Sequence, residues 1–197
     1  MKVLKIVAEN PNDRFISEAI RSMEDGHIVC IPTDSGYGFA CNALNNSAVS
    51  KLCGIKGLDS KKKSLSIICN SIAEAAEFAK IPDDIFKSMR RNLPGHYTYI
   101  LPALSKLPKE FKNRKEVGIR IPDNKVCELL TGQASFPIMV TSVPSGDESD
   151  IDYATEPELI AEGFAGRIDL VLDAGFLALN PTTIIDCTSG EEIILRQ

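Results

Sequence analysis

Short apolar runs recur along this chain, and segments with helical periodicity separate most of them. Residues 27–31 have the continuous apolar composition of a buried strand, whereas residues 13–25 space their apolar side chains three and four positions apart, as one face of a helix does. The two patterns alternate up to residue 163, and three strand-like segments close the chain. This alternation predicts an α/β fold with one large twisted β-sheet and flanking helices, and the successive strands at the end require mixed pairing.

The length and composition are typical of one globular domain. The chain has 197 residues, of which 44% are hydrophobic and 25% are charged, and a chain of this length builds one well-packed core. We expect residues 1–197 to form a single domain. No apolar run approaches the length of a membrane helix, about 20 residues, and the first apolar run is too short for a signal peptide. We therefore expect a cytoplasmic protein without a membrane partner.

Charge is unevenly distributed along the chain. The formal net charge is −5, yet residues 141–197 contain only two of the 22 Lys and Arg and 12 of the 27 Asp and Glu. The first 140 residues are therefore mildly basic, and their basic residues concentrate at 51–63 and 106–120. Such a cluster is either a set of solvated loops or a local anion site for phosphate or nucleic acid. Composition alone leaves both interpretations open.

Cysteine and glycine spacing argues against several kinds of cofactor site. The six cysteines are never two or three positions apart, and the chain has only two histidines, which argues against a zinc site or a redox motif. We expect no metal site in the protein itself. The glycine patterns of a dinucleotide-binding fold and of a P-loop are both missing from the sequence.

Polar residues stand at the ends of several predicted strands. Thr33, Asp34 and Ser35 follow the first buried strand, and Arg120 lies within a later one. Further segments of the same kind supply Lys56, Thr98, Thr141, Ser142, Ser145, Thr182 and Arg196. Loops at strand ends often bind ligands because the strands fix them in space. The pattern therefore indicates a binding site, although turn residues alone would produce a similar composition.

The order and spacing of these segments resemble the YrdC/YciO family of threonylcarbamoyl-adenylate synthases. The segments that carry the resemblance are IPTDSGYG (31–38), GIKG (54–57), PGHYTYIL (94–101), VGIRIP (117–122) and PTTIID (181–186). The resemblance runs from about residue 14 to residue 197, and the strings around Asp34 and Tyr97 are most similar to the YciO branch. It implies a strongly twisted sheet with a concave, cationic cavity.

The resemblance also implies an activity. Synthases of this family condense L-threonine, bicarbonate and ATP into threonylcarbamoyl-AMP with release of pyrophosphate, and the product serves the modification of an adenosine in tRNA. ATP would be a substrate that brings Mg²⁺ with it, and the other ligand would be a small amino acid or carboxylate. Some members are described as binding double-stranded RNA, so tRNA or double-stranded RNA is a further possible partner.

Residue roles follow from the resemblance position by position. Lys56 and Arg120 would be catalytic cations. Thr33, Ser35, Thr141 and Ser142 would bind the amino acid, and Lys56, Ser142, Ser145 and Arg196 would bind the nucleotide. Four of these assignments have an alternative in which the side chain is structural. Thr33 and Ser35 would then shape a turn, Lys56 would end a helix in solvent, and Arg120 would form a buried ion pair, for instance with Asp34.

Two departures from the synthase pattern bear on activity. Where synthases carry K-x-R, this chain reads Lys56-Gly57-Leu58, and leucine neither donates a hydrogen bond nor pairs with phosphate. Where they carry S-x-N, Val143-Pro144 follows Ser142. A lost contact to a charged group costs on the order of 1.5–3 kcal/mol. The sequence therefore leaves three functions open: a weak or modified synthase, a non-catalytic RNA- or nucleotide-binding protein, and an ATP-dependent enzyme that acts on another amino acid.

The RNA-binding alternative makes a prediction about the lysines at 61–63. If they neutralise phosphates, replacing all three with alanine lowers the affinity for double-stranded RNA and reduces the slope of log affinity against log salt by roughly 2–3. A salt titration of binding to a labelled duplex measures both quantities. An unchanged slope would assign these lysines to a solvated loop.

Overall fold

A computed structural model describes residues 1–55, 65–107, 115–144 and 154–197. Ten strands are present in this part of the chain. They are β1 (Lys2–Lys5), β2 (Val29–Thr33), β3 (Gly36–Asn42), β4 (Ser66–Ile68), β5 (Tyr97–Pro102), β6 (Glu116–Arg120), β7 (Ile138–Ser142), β8 (Leu170–Asp173), β9 (Thr183–Asp186) and β10 (Ile193–Arg196). All ten belong to one sheet in the order β1-β8-β2-β3-β7-β4-β6-β5-β9-β10. Parallel and antiparallel pairs both occur, which confirms the predicted mixed sheet.

Six described helices connect these strands. They are α1 (Asp13–Glu24), α2 (Asn46–Ile55), α3 (Ile72–Ala75), α4 (Asp83–Asn92), α5 (Lys125–Gln133) and α6 (Pro157–Gly163). Side-chain caps fix where three of these helices begin. The side chains of Asn12, Ser71 and Asn124 accept hydrogen bonds from backbone N–H groups of the first turn. No described helix is long and apolar enough to cross a membrane.

The sheet buries two apolar cores, one on each face. The first core contains Phe39 and Tyr99 and is covered by α2, α3, α4 and α6. The second core contains Ile31 and Val140 and is covered by α1 and α5. Neighbouring strand residues alternate between the two cores, as the pleat requires. The second core includes no described residue of β5, β6, β9 or β10, so the second face of these four strands is available for other side chains.

The connection between β8 and β9 shows that the sheet is curled. These strands lie seven positions apart in the sheet, which is about 34 Å in a flat sheet. The ten residue steps from Asp173 to Thr183 span at most about 36 Å when fully extended. The connection is not fully extended, since Gly175 has a φ of 77°. The far strands must therefore curve towards each other, and the two ends of the sheet approach.

Most predicted elements are present, with shifted ends. The helix predicted at 13–25 is α1, and its apolar positions Ile16, Ala19, Ile20 and Met23 are buried as expected. The strand predicted at 27–31 extends instead over Val29–Thr33, because Pro32 lies in an antiparallel pair that continues to Thr33 and Gly36. The strand β1 was not predicted. Lysines at both of its ends obscure the apolar pattern, and its parallel pairing with β8 is a long-range interaction.

Phe39 tests the first core. Its side chain is fully buried, and its ring lies edge-on to Phe164 with centroids 4.8 Å apart. We expect Phe39→Ala to lower the free energy of unfolding by about 3–5 kcal/mol, because it removes this contact and leaves a cavity. Urea denaturation measures the change. Phe176→Ala is the control, since Phe176 is 63% exposed and its loss should cost less than about 0.5 kcal/mol. If both variants lowered the free energy of unfolding by the same amount, the result would contradict the described core.

Candidate active site

The turn between β2 and β3 is held together by the hydroxyl of Thr33. This side chain is 4% exposed. Its Oγ1 donates to the carbonyl oxygen of Gly36 at 2.7 Å and accepts from the backbone N–H of Ser35 at 3.1 Å. The proton of Thr33 is therefore engaged within the turn, which gives this residue a structural role. Its contact with the amino acid stays a prediction.

A buried ion pair joins this turn to the end of β6. The Nη2 atom of Arg120 donates to Oδ1 of Asp34 at 2.7 Å, and the two side chains are 10% and 3% exposed. The second carboxylate oxygen, Oδ2, accepts the backbone N–H of Asp123 at 3.1 Å, just before α5. His96 approaches the same oxygen, with its Nε2 atom 3.9 Å away. Asp34 thus connects the ends of β2 and β6 with the start of α5.

Arg120 also orients Ser35. Its Nη2 atom donates to the Ser35 hydroxyl at 3.0 Å, so this hydroxyl accepts from the guanidinium. The Ser35 proton can then point to Oγ1 of Thr33, 3.1 Å away, or to a ligand. Among the described residues, Nε of Arg120 is buried and has no hydrogen-bond partner. Because buried donors are normally satisfied, an acceptor placed beside Ser35 and Arg120 would complete this arrangement.

A row of polar side chains extends from Arg120 across the second face. The register that pairs Tyr99 with Ile119 sets Thr98 opposite Arg120. The hydroxyls of Thr98 and Thr182 lie 2.9 Å apart and are buried. Nε and Nη2 of Arg196 both donate to the carbonyl oxygen of Thr182, at 3.1 and 2.8 Å. The row therefore runs from the end of β6 through β5 and the residue before β9 to β10, on the face opposite the first core.

The predicted site residues separate into three groups. Ser35 contacts both Thr33 and Arg120, and Arg196 lies in the polar row. Ser142 follows Val140 by two positions and so lies on the second face, whereas Thr141 follows Met139 and lies on the first face. The structure therefore does not bring Thr141 to the side of Thr33. The predictions for Lys56 and Ser145 fall outside the described residues.

The polar row includes two residues for which the resemblance predicts no role. In the sequence, Thr98 and Thr182 are only polar positions in strand-like segments. Their contact joins residues 84 positions apart, and only the pairing of β5 with β9 brings them together. The strand period by itself gives a partial signal, since it places Thr98 on the opposite face from buried Tyr99.

Cys127 lies beside the ion pair but is not suited to act as a nucleophile. Its Sγ atom contacts the carbonyl oxygen of Pro32 at 3.5 Å. Burial raises the pKa of Cys127 to about 12, although the charge of Arg120 opposes this shift. The thiol is therefore protonated at neutral pH, and the thiolate is the reactive form. In the parts of the chain that the structure covers, no group of three or more His, Cys, Asp or Glu side chains is arranged to hold a metal ion.

Comparisons with known proteins agree on one family. The model of the Sua5/YciO/YrdC family, described as "Telomere recombination", matches residues 21–197. An uncharacterized protein of Haemophilus influenzae is 30% identical over 96% of this chain and 91% of its own length. YciO of Escherichia coli is 28% identical over 96% of this chain and 91% of its own length. The crystal structure of E. coli YciO matches all of this chain and 96% of that chain with a TM-score of 0.90.

A threonine complex belongs to the same set of similar structures. A threonylcarbamoyl-AMP synthase of Pyrococcus abyssi is 28% identical over all of this chain and 57% of its own length. The crystal structure of P. abyssi Sua5 complexed with L-threonine matches all of this chain and 57% of that chain, with a TM-score of 0.88 and 27% identity. These matches confirm the predicted family and the predicted α/β fold with one large mixed sheet, and the cationic cavity stays a prediction.

The buried pair of Asp34 and Arg120 tests the site architecture. Asp34→Ala leaves Arg120 buried without its counter-charge, so we expect it to lower the free energy of unfolding by about 3–5 kcal/mol. Asp84→Ala is the matched control, because the ion pair of Asp84 with Lys87 is exposed and should contribute at most about 1 kcal/mol. Urea denaturation of both variants measures the difference. A loss for Asp34→Ala no larger than the control's would contradict the described pair.

Proposed function

Because the chain belongs to the Sua5/YciO/YrdC family, we propose that it binds L-threonine and ATP and forms threonylcarbamoyl-AMP from L-threonine, bicarbonate and ATP. The observation that carries this proposal is the arrangement of Arg120 and Ser35, in which a buried donor without a described partner lies beside an oriented hydroxyl. A carboxylate accepts hydrogen bonds from both groups. P. abyssi Sua5, which shares this fold, is complexed with L-threonine.

In the proposed reaction, two bonds form in succession. The amine of threonine attacks the carbon of bicarbonate and gives a carbamate with loss of water. A carbamate oxygen then attacks the α-phosphorus of ATP, and the bond to pyrophosphate breaks. Neither step requires a covalent bond to the protein. The protein contributes by bringing the reactants together and by placing fixed cations and hydroxyl donors against the anionic groups.

In this proposal, one end of the polar row binds the amino acid and the other end binds the phosphates. At one end, Asp34 fixes Arg120, and Arg120 orients Ser35 towards the amino acid. At the other end, Arg196 supplies positive charge for the phosphates, and its guanidinium is held by Thr182. Lys56, Ser142 and Ser145 would complete the nucleotide side. Mg²⁺ would arrive with ATP and keep most of its ligands from phosphate and water. The activated threonylcarbamoyl group would then be transferred to an adenosine in tRNA, in the cytoplasm.

The two departures from the synthase pattern favour a second candidate, a protein that binds the nucleotide or RNA without forming the adenylate. Leu58 replaces an arginine, and Val143-Pro144 stands where asparagine would follow Ser142. Pyrophosphate release from ATP and bicarbonate, with and without L-threonine, separates the candidates. Threonine-dependent release supports the synthase. Nucleotide or RNA binding without release supports the second candidate, and release that depends on another amino acid assigns a different substrate.

Lys56 provides the first test by substitution. We expect Lys56→Ala to abolish threonine-dependent pyrophosphate release, because it removes the one cation that the altered K-x-R element retains. Lys51→Ala is the matched control, since Lys51 is an exposed lysine of α2 and should leave the rate unchanged. Turnover by Lys56→Ala at the control's rate would overturn the assignment of Lys56.

Ser35 provides the second test. Ser35→Ala removes a hydroxyl that we place against the amino acid, so the KM for threonine should rise about tenfold or more, the effect of losing one hydrogen bond to a charged group. Initial rates at varied threonine concentration give the value. Ser17→Ala, at an exposed position of α1, is the control. A KM for threonine that does not change in Ser35→Ala would place the amino acid elsewhere.

A further inference from the structure

The sheet has two edge strands of opposite character. At one edge, β1 carries Lys2 and Lys5 at its ends, and charged residues on an edge, lysine above all, discourage pairing with another chain. At the other edge, β10 carries Ile193, Ile194 and Leu195 in succession. These three side chains are 50%, 58% and 58% exposed. The apolar edge is the kind that natural proteins normally cover.

Nothing in the described part of the chain covers this edge. β10 pairs with β9 on its inner side, and β10 is last in the strand order. None of its apolar residues belongs to either core. A bulge falls at Leu195, between the residues that pair with Ile185 and Ile184. The bulge keeps the regular edge short, so a partner would have to be held by side chains as well as by backbone hydrogen bonds.

The charges at the two ends of β10 indicate which kind of strand can pair with it. Glu191 and Glu192 precede the apolar residues, and Arg196 follows them. A second β10 that runs antiparallel brings the glutamates of one chain beside the arginine of the other, at both ends. A parallel arrangement would bring like charges together, which is unfavourable. The sequence of this edge is therefore complementary to itself in the antiparallel direction.

We propose that β10 is a dimerisation edge that binds β10 of a second copy of this chain, antiparallel and about a two-fold axis. Such a contact uses the same surface on both copies and closes at the dimer. Arg196 can keep its hydrogen bonds to Thr182 in this dimer. Its guanidinium has five N–H donors, and the described bonds to Thr182 use only those of Nε and Nη2. A glutamate of the second copy can accept from one N–H of Nη1, and the other N–H of that atom stays available for the phosphate contact proposed for Arg196.

The first experiment measures the mass of the full chain by sedimentation over a range of micromolar concentrations. We expect a reversible dimer, and we expect Ile194→Lys to be monomeric, since it places two lysines near the two-fold axis. Val7→Lys is the matched control, because Val7 is 63% exposed and lies beyond β1, and it should dimerise like the unmodified chain. Circular dichroism verifies that both variants are folded. An unmodified chain that stays monomeric throughout, or a dimer that survives Ile194→Lys, would overturn the proposal.

The second experiment tests the antiparallel charge contact by exchange between chains. Arg196→Glu alone and the double variant Glu191→Lys/Glu192→Lys alone should each dimerise about tenfold more weakly, because like charges then meet. An equimolar mixture should form heterodimers with near-normal affinity, which native mass spectrometry resolves by mass. If Arg196→Glu weakened dimerisation only because it breaks the bonds to Thr182 within its own chain, mixing with the other variant would not restore the affinity. Failure of the mixture to recover would therefore contradict the antiparallel contact.

Discussion

The ion pair of Asp34 and Arg120 is the interaction on which the candidate site depends. It joins residues 86 positions apart, at the ends of β2 and β6, which are four positions apart in the sheet order. In a flat sheet these strands would be separated by about 19 Å, which is farther than the two side chains reach. The pair exists because the sheet curls, and its burial makes it costly to break. The curvature of the sheet and the geometry of the turn are therefore coupled through one contact.

The same contact determines which groups remain for a ligand. Asp34 offsets the charge of Arg120, so Arg120 is not a free cation. Its contribution is directional, since one nitrogen orients the Ser35 hydroxyl while Nε has no described partner. The hydroxyl proton of Thr33 is engaged within the turn. The resemblance predicts the same role for Thr33 and Ser35, whereas the geometry separates them, because Thr33 holds the turn together and Arg120 orients Ser35.

Sequence reasoning was most successful where the signal is local. The period of α1 and the polar end of β2 each depend on a few neighbouring residues, and both are present. The pairing of Arg120 with Asp34 was one of two alternatives, because an arginine among apolar strand residues needs a counter-charge but the sequence does not specify which one. The contact of Thr98 with Thr182 and the pairing of β1 with β8 depend on the strand order, which local patterns do not encode.

A crystal structure with bound L-threonine would show whether the amino acid binds at Ser35 and Arg120, as we propose. We expect the carboxylate of threonine to lie within hydrogen-bond distance of the Ser35 hydroxyl and of Nε of Arg120, with the pair of Asp34 and Arg120 intact. Threonine bound elsewhere, with Nε of Arg120 still lacking a partner, would contradict it.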